Sequence, residues 1–388
     1  MRYFSLFSGI GGFELGILKA YVEMFNRNSH RRVKKNTKHQ SKKGQRLEST
    51  QREGTSITKR QTDELLDRLN DKGAPHCVGY SEIDKYATAI YQKHFPEHKN
   101  YGDITKIDEK KLPDFDLLVG GFPCQSFSIA GKRKGFEDTR GTLFFEIARI
   151  LRKKQPRFLC LENVKGLLSH DNGRTFAVII STLDELGYDI QWQVLNSKNF
   201  GVPQNRERVF IVGHLRGTAR PEVFPFPYDA GLPIETAQSK KTQSQAEIST
   251  TVRVGMGQKS DDTYVEVGQA VVFIPEATRG GYAMAREGDS INLSNMNSKT
   301  RRGRVGKGVA QTIDTGMQQH TLTKGDIRRL TPIECERLQG FPDDWTALGS
   351  EIDDGVVNTF TMSDTQRYKT LGNAVTVNVV AAVIERLI

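Results

Sequence analysis

A short apolar run followed by a glycine pair and a Pro-Cys dipeptide is the feature that most constrains this chain. Residues 117–119 (Leu-Leu-Val) predict a buried parallel strand, which Gly120 and Gly121 would end. Pro123 restricts the backbone that follows, so Cys124 is expected on a tight turn at the carboxyl end of that strand. Ligands of open α/β sheets bind at this edge. The pattern therefore favours a reactive cysteine over the alternative, a buried and inert thiol.

The size and charge of the chain limit its class. Its 388 residues are enough for one large domain and a smaller one. The net charge of +10 suggests an anionic partner such as nucleic acid. The four cysteines (Cys77, Cys124, Cys160, Cys335) lie far apart, which predicts neither a disulfide framework nor a bound metal. With no signal peptide and no apolar run of transmembrane length apparent, a cytoplasmic protein without a membrane partner is expected.

The amino-terminal segment predicts a strand, a glycine loop and a helix. The strand covers 3–7, Gly9 and Gly11 follow, and the helix covers 13–25. Backbone N–H groups in such a loop face a nucleotide-like ligand, although a glycine turn without a ligand is the alternative. Glu14 stands where the dinucleotide fingerprint has its third glycine, which disfavours a nicotinamide or flavin cofactor.

Residues 27–72 differ from the rest of the chain. They contain 14 Lys or Arg and 6 Asp or Glu, and 27–46 has nine basic residues and no acidic one. Few apolar side chains occur before Ile57, so this segment cannot form a core, and a short helix is expected only at 61–69. Two interpretations stay open: a flexible basic arm that binds nucleic acid, and a solvated insertion without a function.

Further candidate site residues follow predicted strands. Glu82 comes after a strand at 76–80, where an acid suits ribose hydroxyls, and a helix is expected at 83–95. Glu162 comes after a strand at 157–161 and is an acid–base candidate or an ordinary helix cap. The segment 129–141, with three glycines and four basic residues, is a candidate lid before a helix at 142–153.

Two arginines precede the next part of the sheet. A helix is expected at 176–186, and strands at 190–195 and 209–212. Arg206 and Arg208 are two residues apart, so in extended backbone they would share one face. Two guanidinium groups on one face suit phosphate or carbonyl oxygen, and a solvated charged edge is the alternative.

The composition changes at about residue 216. Prolines interrupt the chain to 233, 238–251 is polar, and 298–307 combines basic side chains with glycines. We interpret 216–321 as a separate, irregular, largely β domain that binds nucleic acid. Regular structure is expected again in a helix at 331–338, with Thr331 as its cap and Pro332 in its first turn. Residues 372–375 are expected to open a terminal helix.

These motifs, taken in order, resemble the DNA cytosine-5 methyltransferases of bacterial and phage restriction–modification type. The blocks that carry the resemblance are 4–13 (FSLFSGIGGF), 121–128 (GFPCQSFS), 162–164 (ENV), 204–208 (QNRER), 330–342 (LTPIECERLQGFP) and 372–373 (GN). The resemblance covers about 1–25, 76–214 and 322–388. Residues 27–72 depart from the family pattern, so no family role carries over to them.

The resemblance implies a fold and a cofactor. The expected fold is a Rossmann-like α/β sheet that binds S-adenosylmethionine, formed by 1–215 and 322–388, with a target-recognition domain at 216–321. By matching position, the residues implied in cofactor binding are Phe7, Gly9, Ile10, Gly11, Glu82, Ile83, Asp103, Ile104, Pro123, Leu143, Asn373 and Val375.

The resemblance also implies a mechanism. Cys124 would add as a thiolate to carbon 6 of a flipped-out cytosine, which activates carbon 5 for methylation. Glu162, held protonated, would donate to N3, and Arg208 would hold O2. Arg206 and Arg208 together would favour the thiolate form of Cys124. The residues expected to contact DNA are Lys132, Lys134 and Arg140 in the candidate lid and Arg301, Arg302 and Arg304 in the basic stretch.

The implied partner is double-stranded DNA, with a restriction endonuclease acting separately and the enzyme a monomer. Two alternatives are a tRNA cytosine-5 methyltransferase and a catalytically idle DNA-binding regulator. The first is disfavoured because the Cys-Phe-Thr block of that branch is absent from the sequence. The second is disfavoured because Cys124, Glu162 and the arginine pair are all present.

Overall fold

The structure is a computed structural model that describes most of the chain. The described residues are 1–37, 73–123, 143–227, 251–253, 271–294, 298, 300, 302–353 and 356–388, with the backbone alone for 28–37 and 251–253. Cys124, Lys132, Lys134, Arg140 and Arg301, the candidate lid and the helix expected at 61–69 therefore lie outside the described residues.

The described residues form the following strands and helices. The strands are β1 (Arg2–Leu6), β2 (His76–Ser81), β3 (Leu117–Gly121), β4 (Phe158–Val164), β5 (Tyr188–Asn196), β6 (Gln204–Asn205), β7 (Glu207–Leu215), β8 (Thr251–Arg253), β9 (Val271–Pro275), β10 (Tyr282–Arg286), β11 (Ser290–Asn292), β12 (Val305–Gly306), β13 (Ala310–Gln311), β14 (Gln319–Thr323), β15 (Asp326–Arg329), β16 (Leu348–Asp353) and β17 (Val356–Thr361). The α-helices are α1 (Gly12–Thr37), α2 (Lys85–His94), α3 (Leu143–Lys154), α4 (Arg174–Glu185), α5 (Pro332–Gln339), α6 (Asp364–Asn373) and α7 (Val377–Leu387).

A six-stranded sheet in the order β2-β1-β3-β4-β7-β5 organises the larger part of the protein. Strands β1 to β4 are parallel, and β7 runs antiparallel to both of its neighbours. The carboxyl ends of β1 to β4 therefore meet at one edge of the sheet, which we call the carboxyl edge. The predicted α/β class is confirmed, and this edge brings together the glycine loop, Glu82, Pro123 and Glu162.

Helices cover both faces of this sheet because alternate strand residues are apolar on both sides. Leu117 and Val119 of β3 face a cluster that contains α1 and α7. Leu118 faces a second cluster, formed with α3 and α4. Helix α1 packs closely on α7, since a Cβ atom at Gly16 would lie 2.5 Å from Val380 Cγ1.

Several element boundaries differ from the prediction. Gly120 and Gly121 do not end β3 but belong to it. A glycine is needed at position 120 because a Cβ atom there would lie 2.8 Å from the Leu6 carbonyl oxygen of the adjacent strand. Strand β4 continues to Val164, so Glu162 lies within a strand and not after it. Helix α1 continues to Thr37, well beyond the predicted end at 25. Helix α6 and the hairpin β16–β17 were not predicted, whereas α5 has the expected cap at Thr331.

The smaller region has boundaries other than 216 and 321. Its four-stranded sheet, in the order β12-β11-β14-β15, extends to Arg329, so residue 321 falls inside β14. At the other end, Val223 and Phe224 are buried in the core of the larger sheet. The Gln193 side chain also accepts from the Phe226 N–H at 2.7 Å and donates to its carbonyl oxygen at 2.9 Å. Residues 221–227 therefore pack with the larger part of the protein.

Within the described residues, the stretch Asp364–Leu387 is long and apolar enough to cross a membrane by length and composition alone. It consists of two helices, α6 and α7, with Ala374 and the two residues after it between them. Since 67% of its most apolar window is buried inside the fold, the stretch is a core element.

Candidate active site

The glycine loop and Glu82 form one unit at the carboxyl edge. Gly9 and Gly11 have φ angles of +56° and +87°, which other residues rarely adopt. The Gly9 N–H donates to Glu82 Oε2 at 2.8 Å, and the N–H groups of Ile83 and Asp84 donate to Glu82 Oε1 at 2.8 Å each. Three backbone donors thus hold the Glu82 carboxylate beside the loop.

The loop rests on aromatic side chains. A Cβ atom at Gly11 would lie 2.7 Å from the Phe95 ring, so the floor of the loop admits only glycine at this position. Phe7, with a φ angle of +53°, and the buried Ile10 flank the loop. Val375 closes one side, because a Cβ atom at Gly12 would lie 2.8 Å from Val375 Cγ1.

The other predicted cofactor residues lie in segments next to the carboxyl ends of the strands. Ile83 is 75% exposed immediately after Glu82, which is unusual for an isoleucine. Asp103 Oδ1 accepts from the N–H and the hydroxyl of Thr105, while Ile104 is buried. The remaining three are the exposed Pro123 after β3, Leu143 at the start of α3, and the exposed Asn373 at the end of α6.

Glu162 lies in β4 between β3 and β7. Its direct strand neighbours are Gly121 and Phe210. Arg208, two residues before Phe210, places its Nε 3.0 Å from Glu162 Oε1. Burial raises the pKa of the Glu162 carboxyl above its usual range, and the opposing charges of Arg208 and Arg206 offset only part of that effect. The raised pKa shifts Glu162 toward its acid form, which is the form that can donate a hydrogen bond.

Asn163, which is part of the Glu162 block, has a structural role that was not predicted from the sequence. The Asn163 amide is buried and donates to the Phe122 carbonyl oxygen at 2.8 Å. This bond fixes the backbone that leads into Pro123 next to Glu162. The sequence signal for this role was a polar residue next to Glu162 at the end of a strand that is otherwise apolar.

Arg206 contacts other groups than Arg208 does. It lies between β6 and β7 and is buried, and its guanidinium donates to the carbonyl oxygens of Ile313 at 3.0 Å, Gly372 at 3.1 Å and Ala374 at 2.8 Å. Burial lowers its pKa to about 9, so the group is charged at neutral pH. The described hydrogen bonds of Arg206 therefore join segments of the backbone.

Gln204 acts on the same segments and was also missed by the sequence analysis. Its side chain donates to the Leu338 carbonyl oxygen at 2.8 Å and accepts from the Ile313 N–H at 3.0 Å. Its amide is fully buried, where an unsatisfied polar group would be costly.

Two predicted DNA-binding arginines can be placed. Arg302 has an exposed side chain whose Nε donates to the Ala277 carbonyl oxygen at 2.8 Å. Arg304 is fully buried, and its Nη1 donates to the Ser294 carbonyl oxygen at 2.8 Å. The prediction that Arg304 contacts DNA is therefore wrong in this structure, because its side chain has no surface to offer.

The mixed sheet, the glycine loop held by Glu82 and the Glu162–Arg208 pair fit the α/β fold of the methyltransferases. The family model of the C-5 cytosine-specific DNA methylases matches residues 68–388. This chain belongs to that family, and the function predicted from the sequence, cytosine-5 methylation of DNA, is confirmed at the level of the family.

Curated relatives agree with this assignment. The chain is 40% identical over 323 residues to the Type II methyltransferase M.SsoII of Shigella sonnei, a match that covers 82% of this chain and 76% of the relative. It is 36% identical to the Type II methyltransferase M.HhaI of Haemophilus parahaemolyticus, over 78% of this chain and 84% of the relative. A shorter match, 59% identical over 138 residues, covers 35% of this chain and 31% of the orphan methyltransferase M.SPRI of Bacillus phage SPR.

Solved structures share the fold at low sequence identity. A putative DNA modification methyltransferase encoded within an E. coli prophage superposes with a TM-score of 0.53 at 17% identity, covering 100% of this chain and 98% of that one. The S. pombe Dnmt2 methyltransferase gives a TM-score of 0.52 at 17% identity, covering 99% and 97%. These likenesses confirm the predicted fold class, and neither alternative function is better supported than DNA methylation.

Proposed function

We propose that this methyltransferase transfers a methyl group from S-adenosylmethionine to carbon 5 of a cytosine flipped out of a specific duplex sequence, through a covalent adduct with Cys124. The observation that carries the proposal is Glu162, a partly buried acid with a raised pKa beside β3, 3.0 Å from Arg208. In the sequence, Cys124 directly follows Pro123, the last described residue after β3.

The residues of the glycine loop fit S-adenosylmethionine. The positive φ angles of Gly9 and Gly11 suit a loop whose backbone faces a ligand. Within the described part of the chain, no atom outside the two adjoining residues lies within 4 Å of a Cβ built on Gly9. Glu82, fixed by three N–H groups, has carboxylate lone pairs suited to ribose hydroxyls, and the exposed Ile83 offers an apolar face to a base. The remaining residues proposed to line the pocket are Phe7, Ile10, Asp103, Ile104, Pro123, Leu143, Asn373 and Val375. When bound, the cofactor supplies an electrophilic methyl group.

The chemistry proposed for the protein residues balances protons and charge. The Cys124 thiolate forms a bond to carbon 6, and the electron pair of the 5,6 double bond makes carbon 5 nucleophilic. Glu162 gives a proton to N3 and Arg208 holds O2, so the ring does not accumulate negative charge. After carbon 5 is methylated, its proton leaves to a base, the 5,6 double bond re-forms and the thiolate is expelled. N3 then returns its proton to Glu162, which restores the neutral base and the acid.

We assign a positioning role to Arg206 and substrate contacts to other residues. Lys132, Lys134, Arg140, Arg301 and Arg302 are proposed to bind the DNA backbone, and the region from 228 to 329 is proposed to recognise the target sequence. Double-stranded DNA as the partner agrees with the net charge of +10, and the enzyme is proposed to act as a cytoplasmic monomer. A separate restriction endonuclease as partner is supported by the Type II relatives alone.

The test is a covalent trap with matched cysteine variants. Wild-type protein should transfer label from S-adenosylmethionine to duplex DNA and form a stable adduct with duplex containing 5-fluorocytosine. Cys124→Ala should do neither and should still bind the cofactor. Cys335→Ala, which changes a buried thiol in α5, should behave as the wild type does.

Turnover by Cys124→Ala would refute the assignment of the nucleophile. Labelling of tRNA in preference to DNA would favour the tRNA alternative. Sequence-specific DNA binding by the wild type without any labelling would favour the idle regulator.

A further inference from the structure

Helix α1 runs from the carboxyl edge to the opposite, amino edge of the sheet. It starts at Gly12, next to the glycine loop, and lies alongside α7 in the same direction. The Lys19 ammonium donates to Asn378 Oδ1 at 2.8 Å, and Arg27 forms an ion pair with Glu385. The end of α7 marks the amino edge, because Leu387 lines one cavity together with Met1 and Arg157, residues that precede strands β1 and β4.

The helix does not stop at this edge. It continues for ten residues past Arg27, from 28 to 37, which corresponds to about 15 Å. Positions 31, 32, 34 and 35 in this continuation carry Arg or Lys, and none of the ten carries Asp or Glu. A segment with four positive charges and no negative charge is therefore held on a helix beyond the amino edge.

This location separates the segment from the candidate active site. Position 31 is 19 residues along the helix from Gly12, or about 28 Å away from the carboxyl edge. Substrate DNA must approach the carboxyl edge, where Glu162 and Arg208 lie. DNA has a persistence length of about 150 base pairs, so a short duplex held at one edge cannot curve around the sheet to the other.

We propose that the end of α1, residues 28–37, is a second DNA site that binds the backbone of a duplex segment other than the one being methylated. The proposal rests on the proposed function, since it takes DNA as the substrate. Arg and Lys neutralise phosphates without reading sequence, so this site would hold any DNA. The methyltransferase would then hold a neighbouring duplex or a distant part of the same long molecule.

The test counts duplexes bound per protein. The full-length protein is titrated at low salt with a fluorescent 15-base-pair duplex, and the stoichiometry is measured by sedimentation. We expect two duplexes for the wild type and one for the variant Arg31→Gln, Arg32→Gln, Lys34→Gln, Lys35→Gln, because glutamine retains helix propensity and removes the charge. The salt slope of the second binding event should be about three to four, which corresponds to four phosphates.

Two controls accompany this variant. Replacing the exposed Lys93, Lys99, Lys110 and Lys111 by Gln removes the same charge elsewhere and should leave two duplexes bound. Lys34→Arg with Lys35→Arg keeps the charge and should also bind two. All variants should methylate the short duplex at the wild-type rate, which also shows that they are folded.

Three outcomes would overturn the proposal. One is a wild-type stoichiometry of one, and another is an unchanged stoichiometry in the glutamine variant. The third is a lower salt slope for the first duplex in that variant, since the helix would then contact the substrate itself. Failure of the proposed function is distinguishable, because it would appear as absent methyl transfer by the wild type at any stoichiometry.

Discussion

Glu162 experiences two opposed influences, and their balance decides its chemistry. Burial favours the neutral acid, whereas Arg208 at 3.0 Å favours the carboxylate, and the net effect is a raised pKa. We expect Glu162→Gln to slow the methyl-transfer step by about 10²–10⁴-fold, the usual contribution of a general acid. DNA affinity should change far less, and single-turnover rates would measure the effect.

The pH profile gives the direction of this effect. Because the protonated acid is the donor, the wild-type rate should fall as pH rises through the raised pKa of Glu162, and the Gln variant should lack this decline. Glu207→Gln is a suitable control, since Glu207 is an acid on β7 that pairs with Lys165 at the surface. A near-wild-type rate for Glu162→Gln would show that Glu162 is only structural.

Glu14 predicts a pH dependence of stability. It is buried in the first turn of α1, and burial raises its pKa to about 7 from about 4.5. A folded pKa above the unfolded value means that its stabilising contribution is complete below about pH 4.5 and is lost as pH rises through about 7. The free energy of unfolding should therefore fall by up to about 3 kcal/mol between pH 5 and pH 8 relative to Glu14→Gln. Denaturant titrations would contradict this if the free energy of unfolding changed with pH in the same way for the wild type and for Glu14→Gln.

At the scale of elements, the contact between α1 and α7 depends on Gly16. A Cβ atom there would overlap Val380, lying 2.5 Å from Cγ1 and 2.6 Å from Cβ. Gly16→Ala gains up to about 1 kcal/mol of helix propensity, but overpacking costs about 1–3 kcal/mol. We expect a net loss of stability that Val380→Ala partly relieves in the double variant. If the stability changes of Gly16→Ala and Val380→Ala simply add in the double variant, the overlap between these two positions does not cause the loss, and the prediction is wrong.

The elements that the sequence predicted well are those with a local signal. The Thr331 cap and Pro332 fix the start of α5 through contacts within one turn, so both were visible in the sequence. Gly120 was wrongly predicted to end its strand. A glycine is required there because β1, which is distant in sequence, approaches closely. Hairpin β16–β17 was not predicted because apolar and polar residues do not alternate in it. The consecutive residues Val356 and Val357 are both apolar and are 60% and 58% exposed. Arg304 looked like surface charge because composition does not reveal burial.

At the scale of the whole molecule, the QNRER block is a junction of three distant segments. Arg206 and Gln204 both bond to Ile313, which lies between β13 and β14. Arg206 also holds Gly372 and Ala374, next to the Val375 that packs on the glycine loop. The sequence predicted that these residues matter, but their contacts are made only in the tertiary structure, so a catalytic role for Arg206 could not be separated from a positioning role.

Kinetics can separate these roles by comparing two conservative variants. Arg206→Lys replaces a planar guanidinium by one ammonium group, which cannot reach the carbonyl oxygens of Ile313, Gly372 and Ala374 together. Hydrogen bonds to charged groups contribute about 1.5–3 kcal/mol each, so the variant should lose several kcal/mol of stability. As the 372–375 segment moves away from the glycine loop, KM for S-adenosylmethionine should rise more than tenfold while kcat changes less.

Arg208→Lys should show the opposite pattern, a lower kcat with little change in the cofactor KM, because Arg208 is proposed to hold the reacting ring. If Arg206→Lys instead lowers kcat as Arg208→Lys does, with KM and stability unchanged, then Arg206 contacts the substrate and the positioning role is wrong.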